Sequence, residues 1–165
     1  MSYHIIAGVS NEWGIGNNNK LPWSCKNDMK YFSKKTKGEG NNAIVMGRNT
    51  WESIGSKCLP KRENIVLSKS LTQEDCSANA VFSNILSLQD YCNNKKFDEI
   101  WIIGGAQIYT LFLESNLCSS VHISHINTSI DCDTFFPEKL LTENWKDILN
   151  IDLQDTNYVK IYIPK

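Results

Sequence analysis

Two short apolar runs, YHIIAGV (Tyr3 to Val9) and AIVM (Ala43 to Met46), constrain this chain more than any other feature. Neither alternates apolar with polar residues, as a strand with one wet face would. Each therefore reads as a strand buried on both sides, the condition of a parallel sheet covered by helices. Each is followed by a helix-like segment. After the first comes SCKNDMKYFSKKTKG (Ser24 to Gly38), with Ser24 as cap and Gly38 just past the end. After the second comes NTWESIG, a short helix with an Asn or Thr cap.

The alternation continues along the chain. NIVLS (Asn64 to Ser68), a weaker AVFS, EIWIIGG (Glu99 to Gly105) and SVHISHIN read as strands. NILSLQDYCNN and AQIYTLFLES read as helices, the first with Ile85, Leu88 and Cys92 on one side. After a DTFFP loop, WKDILNIDLQ and NYVKIYIP form a hairpin with a turn near Asp155 to Asn157. The Asn runs at 17–19, 41–42 and 93–94 read as loops between elements. The economical solution is a doubly wound α/β fold. It has a mostly parallel twisted sheet of about eight strands, helices on both faces and an antiparallel C-terminal edge strand. Residues 1–165 are expected to form one domain.

The helix after the first strand contains an anomaly. Cys25, Asp28, Met29 and Phe32 fall at helical spacing on one face, whereas Lys26, Lys30, Ser33 and Lys34 point elsewhere. Asp28 thus interrupts an apolar stripe. Periodicity leaves two explanations open: a first-turn aspartate favoured by the helix dipole, or a carboxylate facing a ligand.

Net charge is −1 with a pI near 6.3, so no electrostatic footprint for nucleic acid or membrane is present. The basic stretch Lys26 to Lys37 is the solvated side of a helix. Six cysteines are scattered without a CxxC pair, which suits free thiols in a reducing cytosol; no signal peptide or membrane span is expected. HISH (His122 to His125) does not read as a metal site, because residues i and i+3 of a strand face opposite ways. No metal is expected.

In doubly wound sheets, ligands bind beyond the carboxyl ends of the strands. Three such ends share one chemistry. IIGGAQIY places Gly104 and Gly105 at a strand-to-helix junction, VMGRNT offers Gly47, Arg48, Asn49 and Thr50, and VLSKS offers Ser68, Lys69 and Ser70. Each alone is an ordinary turn, and G-x-G-x-x-G is absent. Together they suggest a polyphosphate ligand, with Arg48 and Lys69 suited to the extra 2′-phosphate of NADP.

KLPW, the Asp28 helix, VMGRNTWESIG, LPKRENIVLS, WIIGGAQIY and DTFFP stand in the order and spacing seen in dihydrofolate reductases, and the resemblance to the bacterial-type, single-chain members runs nearly end to end. It implies hydride transfer from NADPH to C6 of 7,8-dihydrofolate, with a proton added at N5. That activity supports tetrahydrofolate biosynthesis, one-carbon metabolism and thymidylate synthesis in a cytoplasmic monomer that is also an antifolate target. It implies that Asp28 accepts hydrogen bonds from the pterin, that Ser124 bonds Asp28, and that water admitted near Leu21 and Trp23 protonates N5. Ile6, Ala7, Met29, Phe32, Ile54, Leu59, Ile103 and Tyr109 match the substrate pocket, and Arg62 matches the clamp on the glutamate carboxylate. From periodicity alone, the apolar ones read as core.

The resemblance also assigns the cofactor to Ala7, Gly8, Ile15, Gly16, Lys20, Leu21, Gly47, Arg48, Asn49, Thr50, Leu67, Ser68, Lys69, Ser70, Ile103, Gly104, Gly105, Ala106, Gln107, Ile108 and Tyr109. NEWGIGNNNKLPW (Asn11 to Trp23) resembles the family's mobile loop over the nicotinamide. Departures are Gly8 for a usual alanine, Ala106 for a frequent third glycine, Ser124 for threonine, and an altered turn from Cys58 to Lys61. Two other classes stay open at this point. A reductase of another pterin or riboflavin-pathway pyrimidine predicts no acid at Asp28 and no arginine at Arg62. A silent nucleotide-binding scaffold would be free to lose both.

Overall fold

The computed structural model describes residues 1–18, 20–21 and 23–165. Asn19 and Pro22, within the Asn run and the KLPW motif, lie outside the described residues. The main sheet contains β1 (Ser2–Val9), β3 (Ala43–Met46), β4 (Glu63–Leu67), β5 (Ala80–Phe82), β6 (Glu99–Gly104), β7 (Cys118–His125), β9 (Trp145–Gln154) and β10 (Asn157–Pro164). Their order is β5-β4-β3-β6-β1-β7-β10-β9. The first six pair in parallel; β10 is antiparallel to β7, and β9 lies outside it as the edge strand.

Period-two alternation splits the core between the two faces. Tyr3, Ile5, Ala7 and Val9 of β1 join one core, beneath α3 (Ile85–Lys95), α4 (Ala106–Glu114) and α5 (Glu138–Asn144). Ile6 joins the other with Ile44, Met46, Val66 and Trp101, beneath α1 (Lys26–Lys37) and α2 (Arg48–Ser53). Ile5, Ile44, Val45 and Met46 are fully buried, which explains the runs without alternation. Each such side chain contributes about 1.5–3 kcal/mol by leaving water. Among the described residues, no helix is long and apolar enough to cross a membrane, and all six cysteines are free.

The structure corrects several local expectations. The N-cap of α1 is Cys25 rather than Ser24, and that of α2 is Gly47 rather than Asn49 or Thr50; neither helix has a side-chain cap. Asn93 and Asn94 belong to the last turn of α3, which Asn84 caps by accepting from the Ser87 amide. Helix α5, only seven residues long, is too short to show a helical period, and the small ladder of β2 (Gly14–Gly16) with β8 (Thr134–Phe135) lies where the sequence predicts only loop. His122 and His125 do face opposite ways. His122 meets Tyr31 and Trp101, while His125 meets Trp13 and Tyr158.

Candidate functional site

The carboxyl ends of β1 and β7 meet helix α1 at Asp28, through Gly8 and Ser124. An ideal Cβ on Gly8 would lie 3.0 Å from Asp28 Oδ2 and 3.5 Å from Trp23 Cζ2, which places carboxylate, indole and strand backbone in one contact. Burial raises the proton affinity of Asp28 above the usual carboxylate range, and a hydrogen bond from the buried Ser124 hydroxyl partly offsets this. Asp28, in the first turn of α1, is thus half-buried rather than fully solvated, and desolvation is the larger influence on its proton affinity.

Around it, Phe32, Ile54, Leu59 and Ile103 are partly buried against Ile6 and the second core. Leu21 and Met29 project instead into solvent at the open side, each 63% exposed. The Tyr109 hydroxyl lies 2.9 Å from both the Ile6 and Ile103 carbonyl oxygens. Arg62 stands at the far end. Its Nε donates to the Pro60 carbonyl (2.9 Å) and its Nη1 to Thr36 Oγ1 (2.9 Å), so the guanidinium is fixed to α1. Buried Asn64 holds the altered turn before it, accepting from the Leu59 amide and donating to the Leu59 and Arg62 carbonyls, each at 2.9 Å.

On the other side of these strands, two helix N-termini come together. The Gly47 amide donates to the Gly104 carbonyl (2.8 Å), and the Gly104–Gly105 peptide is cis. A Cβ at Gly47 would come within 2.9 Å of Ile108, and one at Gly105 within 3.6 Å of Thr50 Oγ1. Only glycine at 47 admits this approach of α2 to α4. Neither helix has a side-chain cap, so the first-turn amides around Asn49 and Thr50, and around Ala106 and Gln107, are left for an anion. Arg48 Nη1 donates to Ser70 Oγ (3.1 Å), joining the β3 and β4 ends; Ser68 Oγ orders that turn by accepting from the Ser70 and Leu71 amides, and Lys69 is exposed beside it. Leu67 is buried beneath.

Residues 11–18, 20–21 and 23 are the described part of the segment between β1 and α1. Ala7 and Gly16 are buried, Ile15 is half-buried, and Lys20 pairs with Asn17. Asp133 Oδ2 accepts from the Asn18 amide (3.0 Å), and the Asp133 amide donates to the Gly16 carbonyl (3.0 Å). Together with Thr134, the Asn18 amide holds the Asp133 carboxyl below its usual range. Thr36, Asn64 and Asp133 were missed from sequence. A buried threonine in a lysine-rich helix turn gives no periodic signal, Asn64 opens an apolar strand without marking itself from its neighbours, and Asp133 acts on a loop 115 residues away.

Residues 2–162, which carry the half-buried carboxylate, the anchored guanidinium and the two uncapped helix N-termini, match the family model described as dihydrofolate reductase. The chain belongs to the dihydrofolate reductase family. The dihydrofolate reductase of Buchnera aphidicola is 38% identical over 150 residues, covering 90% of this chain and 86% of that one. That of Schistosoma mansoni is 36% identical over 165 residues, covering 94% and 86%. A dihydrofolate reductase from Enterococcus faecalis, solved in complex with NADP(H), superimposes with a TM-score of 0.83 at 26% identity, covering 99% of this chain and 96% of that one. The bifunctional dihydrofolate reductase-thymidylate synthase of Glycine max is also similar, 36% identical over 150 residues, but this chain spans only 28% of its length.

Proposed function

We propose that this dihydrofolate reductase-family chain reduces 7,8-dihydrofolate to tetrahydrofolate with NADPH, as a cytoplasmic monomer built of one domain over residues 1–165. The observation that carries this is Asp28, a half-buried carboxylate bonded by Ser124 and facing β1, with a cradle of amides and Arg48 at the neighbouring strand ends. The cofactor supplies a hydride from its nicotinamide C4 to C6 of the pterin. The protein supplies position and charge.

Asp28 accepts from the pterin amino group and N3, which returns to the carboxylate donors it lost on burial. The carbonyls of Ile6 and Ile103, steered by Tyr109, receive the remaining ring donors. Phe32, Ile54, Leu59 and Met29 cover the middle of the substrate. Arg62 takes its tail carboxylate in a bidentate grip. The amides around Asn49 and Thr50 and around Ala106 and Gln107, beside Gly47, Gly104 and Gly105, hold the pyrophosphate, and Arg48 with Ser68, Lys69 and Ser70 holds the 2′-phosphate. Water reaches N5 past Leu21 and Trp23, while Asp28 raises the basicity of the ring. The loop through Ile15, Gly16 and Lys20 closes over the nicotinamide.

Purified protein mixed with NADPH and dihydrofolate, followed at the nicotinamide absorbance, tests this directly. Oxidation that requires dihydrofolate and prefers NADPH to NADH is expected. NADPH binding without turnover would leave the silent scaffold or another substrate.

A further inference from the structure

Beneath α1, on the sheet face that carries Asp28, five polar side chains from four elements meet in a line. The Tyr31 hydroxyl lies 2.6 Å from His122 Nδ1, and His122 Nε2 lies 3.1 Å from Ser120 Oγ. Ser120 Oγ lies 2.6 Å from His4 Nδ1, and His4 Nε2 lies 3.2 Å from Glu99 Oε2 and 2.8 Å from Ser2 Oγ. The Trp101 ring packs against both imidazoles, with centroids at 4.7 and 5.0 Å. None of these residues belongs to the site described above.

Chemistry gives the line a direction. An ionised carboxylate only accepts, so His4 Nε2 must carry the hydrogen that faces Glu99; a lone pair there would be repelled. Both imidazoles are neutral near pH 7, since burial lowers the proton affinity of each, that of His122 to about 3. A neutral imidazole donates from one nitrogen and accepts at the other. His4 Nδ1 therefore accepts from Ser120, Ser120 accepts from His122 Nε2, and His122 Nδ1 accepts from Tyr31. Ser2 shares the His4 hydrogen as a second acceptor.

This line ends beside the reactive carboxylate. Tyr31 is three residues beyond Asp28, a neighbour on the helix surface, and His122 shares a strand face with Ser124. Helix α1 and strand β7 are thus joined twice, by Asp28 with Ser124 and by Tyr31 with His122. We propose that Tyr31 and His122 are positioning residues for Asp28, and that Ser120, His4 and Glu99 keep the Tyr31 proton turned toward β7 and away from Asp28. The proposal rests on the role given to Asp28 above. The other polar and charged groups near the line are Lys35 of α1, 5.8 Å above the Tyr31 ring, and Tyr109 of α4, whose own ionisation Asp28 opposes. With Ser124 as its hydroxyl donor and no second one from Tyr31, Asp28 keeps the raised proton affinity that burial gives it.

Glu99→Gln tests the direction. A carboxamide donates as well as accepts, so the line can reverse and release the Tyr31 proton toward Asp28. The readout is the Asp28 carboxyl titration by ¹³C NMR in the NADPH complex, with the signal assigned through Asp28→Asn. The midpoint is expected to fall by about half a pH unit or more in Glu99→Gln, as a new donor favours the ionised form. In a Tyr31→Phe background the same substitution should leave it unmoved. Loss of the Glu99 charge acting through space would lower the midpoint equally in both backgrounds. Equal shifts, or none in either, overturn the proposal. Ser120→Ala, which cuts the line at its centre, serves as the second background should Tyr31→Phe fold poorly. Dihydrofolate turnover measured alongside separates the two claims. Normal turnover with an immobile midpoint sinks the line alone, whereas a responsive midpoint without turnover sinks the role of Asp28 in folate reduction and leaves the line standing.

Discussion

Gly8 and Asp28 face each other across the gap between β1 and α1 so closely that one methyl group on Gly8 would sit 3.0 Å from Asp28 Oδ2. The carboxylate cannot retreat freely, because Ser124 holds it. Gly8→Ala restores the residue usual in the family, yet it should raise the KM for dihydrofolate about fivefold, the equivalent of about 1 kcal/mol of overpacking. A KM at or below that of the parent would show that the pocket gives way and that the missing methyl had left the site loose.

Asp28→Asn should cut turnover at neutral pH by about a hundredfold, and least at low pH, where the substrate arrives already protonated. Equal loss at every pH would remove the polarising role. The sign for stability is opposite. Because the folded-state proton affinity of Asp28 is raised, the ionised group destabilises the fold above the unfolded carboxylate pKa of about 4. The asparagine variant should therefore melt higher than the parent at pH 7, with the gap closing as pH falls toward that value. Melting curves at several pH values check this.

Arg62→Lys keeps the charge but loses the planar fork that Pro60 and Thr36 orient. The KM for dihydrofolate should rise about tenfold or more. A pterin lacking the glutamate tail should be reduced at the same rate by both proteins. If the variant is equally slow on the truncated substrate, Arg62 acts on the turn rather than on the tail.

Arg48→Ala removes the guanidinium that meets Ser70 at the junction of β3 and β4. The ratio of kcat/KM for NADPH over NADH should narrow by about tenfold or more, chiefly through loss on the NADPH side. An unchanged ratio would place the 2′-phosphate elsewhere.

Asp133→Ala frees the Asn18 amide from the loop that leads to Trp23. NADPH should dissociate several-fold faster in stopped-flow chase experiments. The Asp133 carboxyl lies below its usual range, so this anchor is complete above the unfolded pKa of about 4 and is lost as pH falls through the lower folded value. A parent enzyme whose NADPH release does not quicken at acid pH would argue against the anchor.

Much of this architecture was legible because burial leaves a simple mark on composition. The runs at Tyr3 to Val9 and Ala43 to Met46 declare strands covered on both faces, and the glycines at 47 and 104–105 mark where the chain turns into helices. Short elements leave no such mark. Helix α5 has seven residues and β8 two, too few for any period to register. Helix caps were misplaced for a related reason. Ser24 and Thr50 have the right chemistry, but Cys25 and Gly47 occupy the capping positions, and only backbone angles distinguish them. Within the site, Asp28 stood out as a charge in an apolar stripe, whereas Phe32, Ile54 and Ile103 look like core because part of each is core. Thr36 and the Tyr31-to-Glu99 line were unreadable, since every link but His122 to Ser120 joins residues 26 to 116 apart and no local pattern connects them.

The Tyr109 hydroxyl stands between two carbonyls with a single proton to give, at 2.9 Å from each. It can give a full hydrogen bond to Ile6 or to Ile103, or divide its proton between the two. An incoming ring with amino donors is thus met by a rim that is always one donor short, whichever way the phenol turns. Selectivity follows from that shortfall. A ligand that presents a donor there completes the pairing of the two strands, and one that presents an acceptor leaves the gap open and sets its lone pair against a carbonyl.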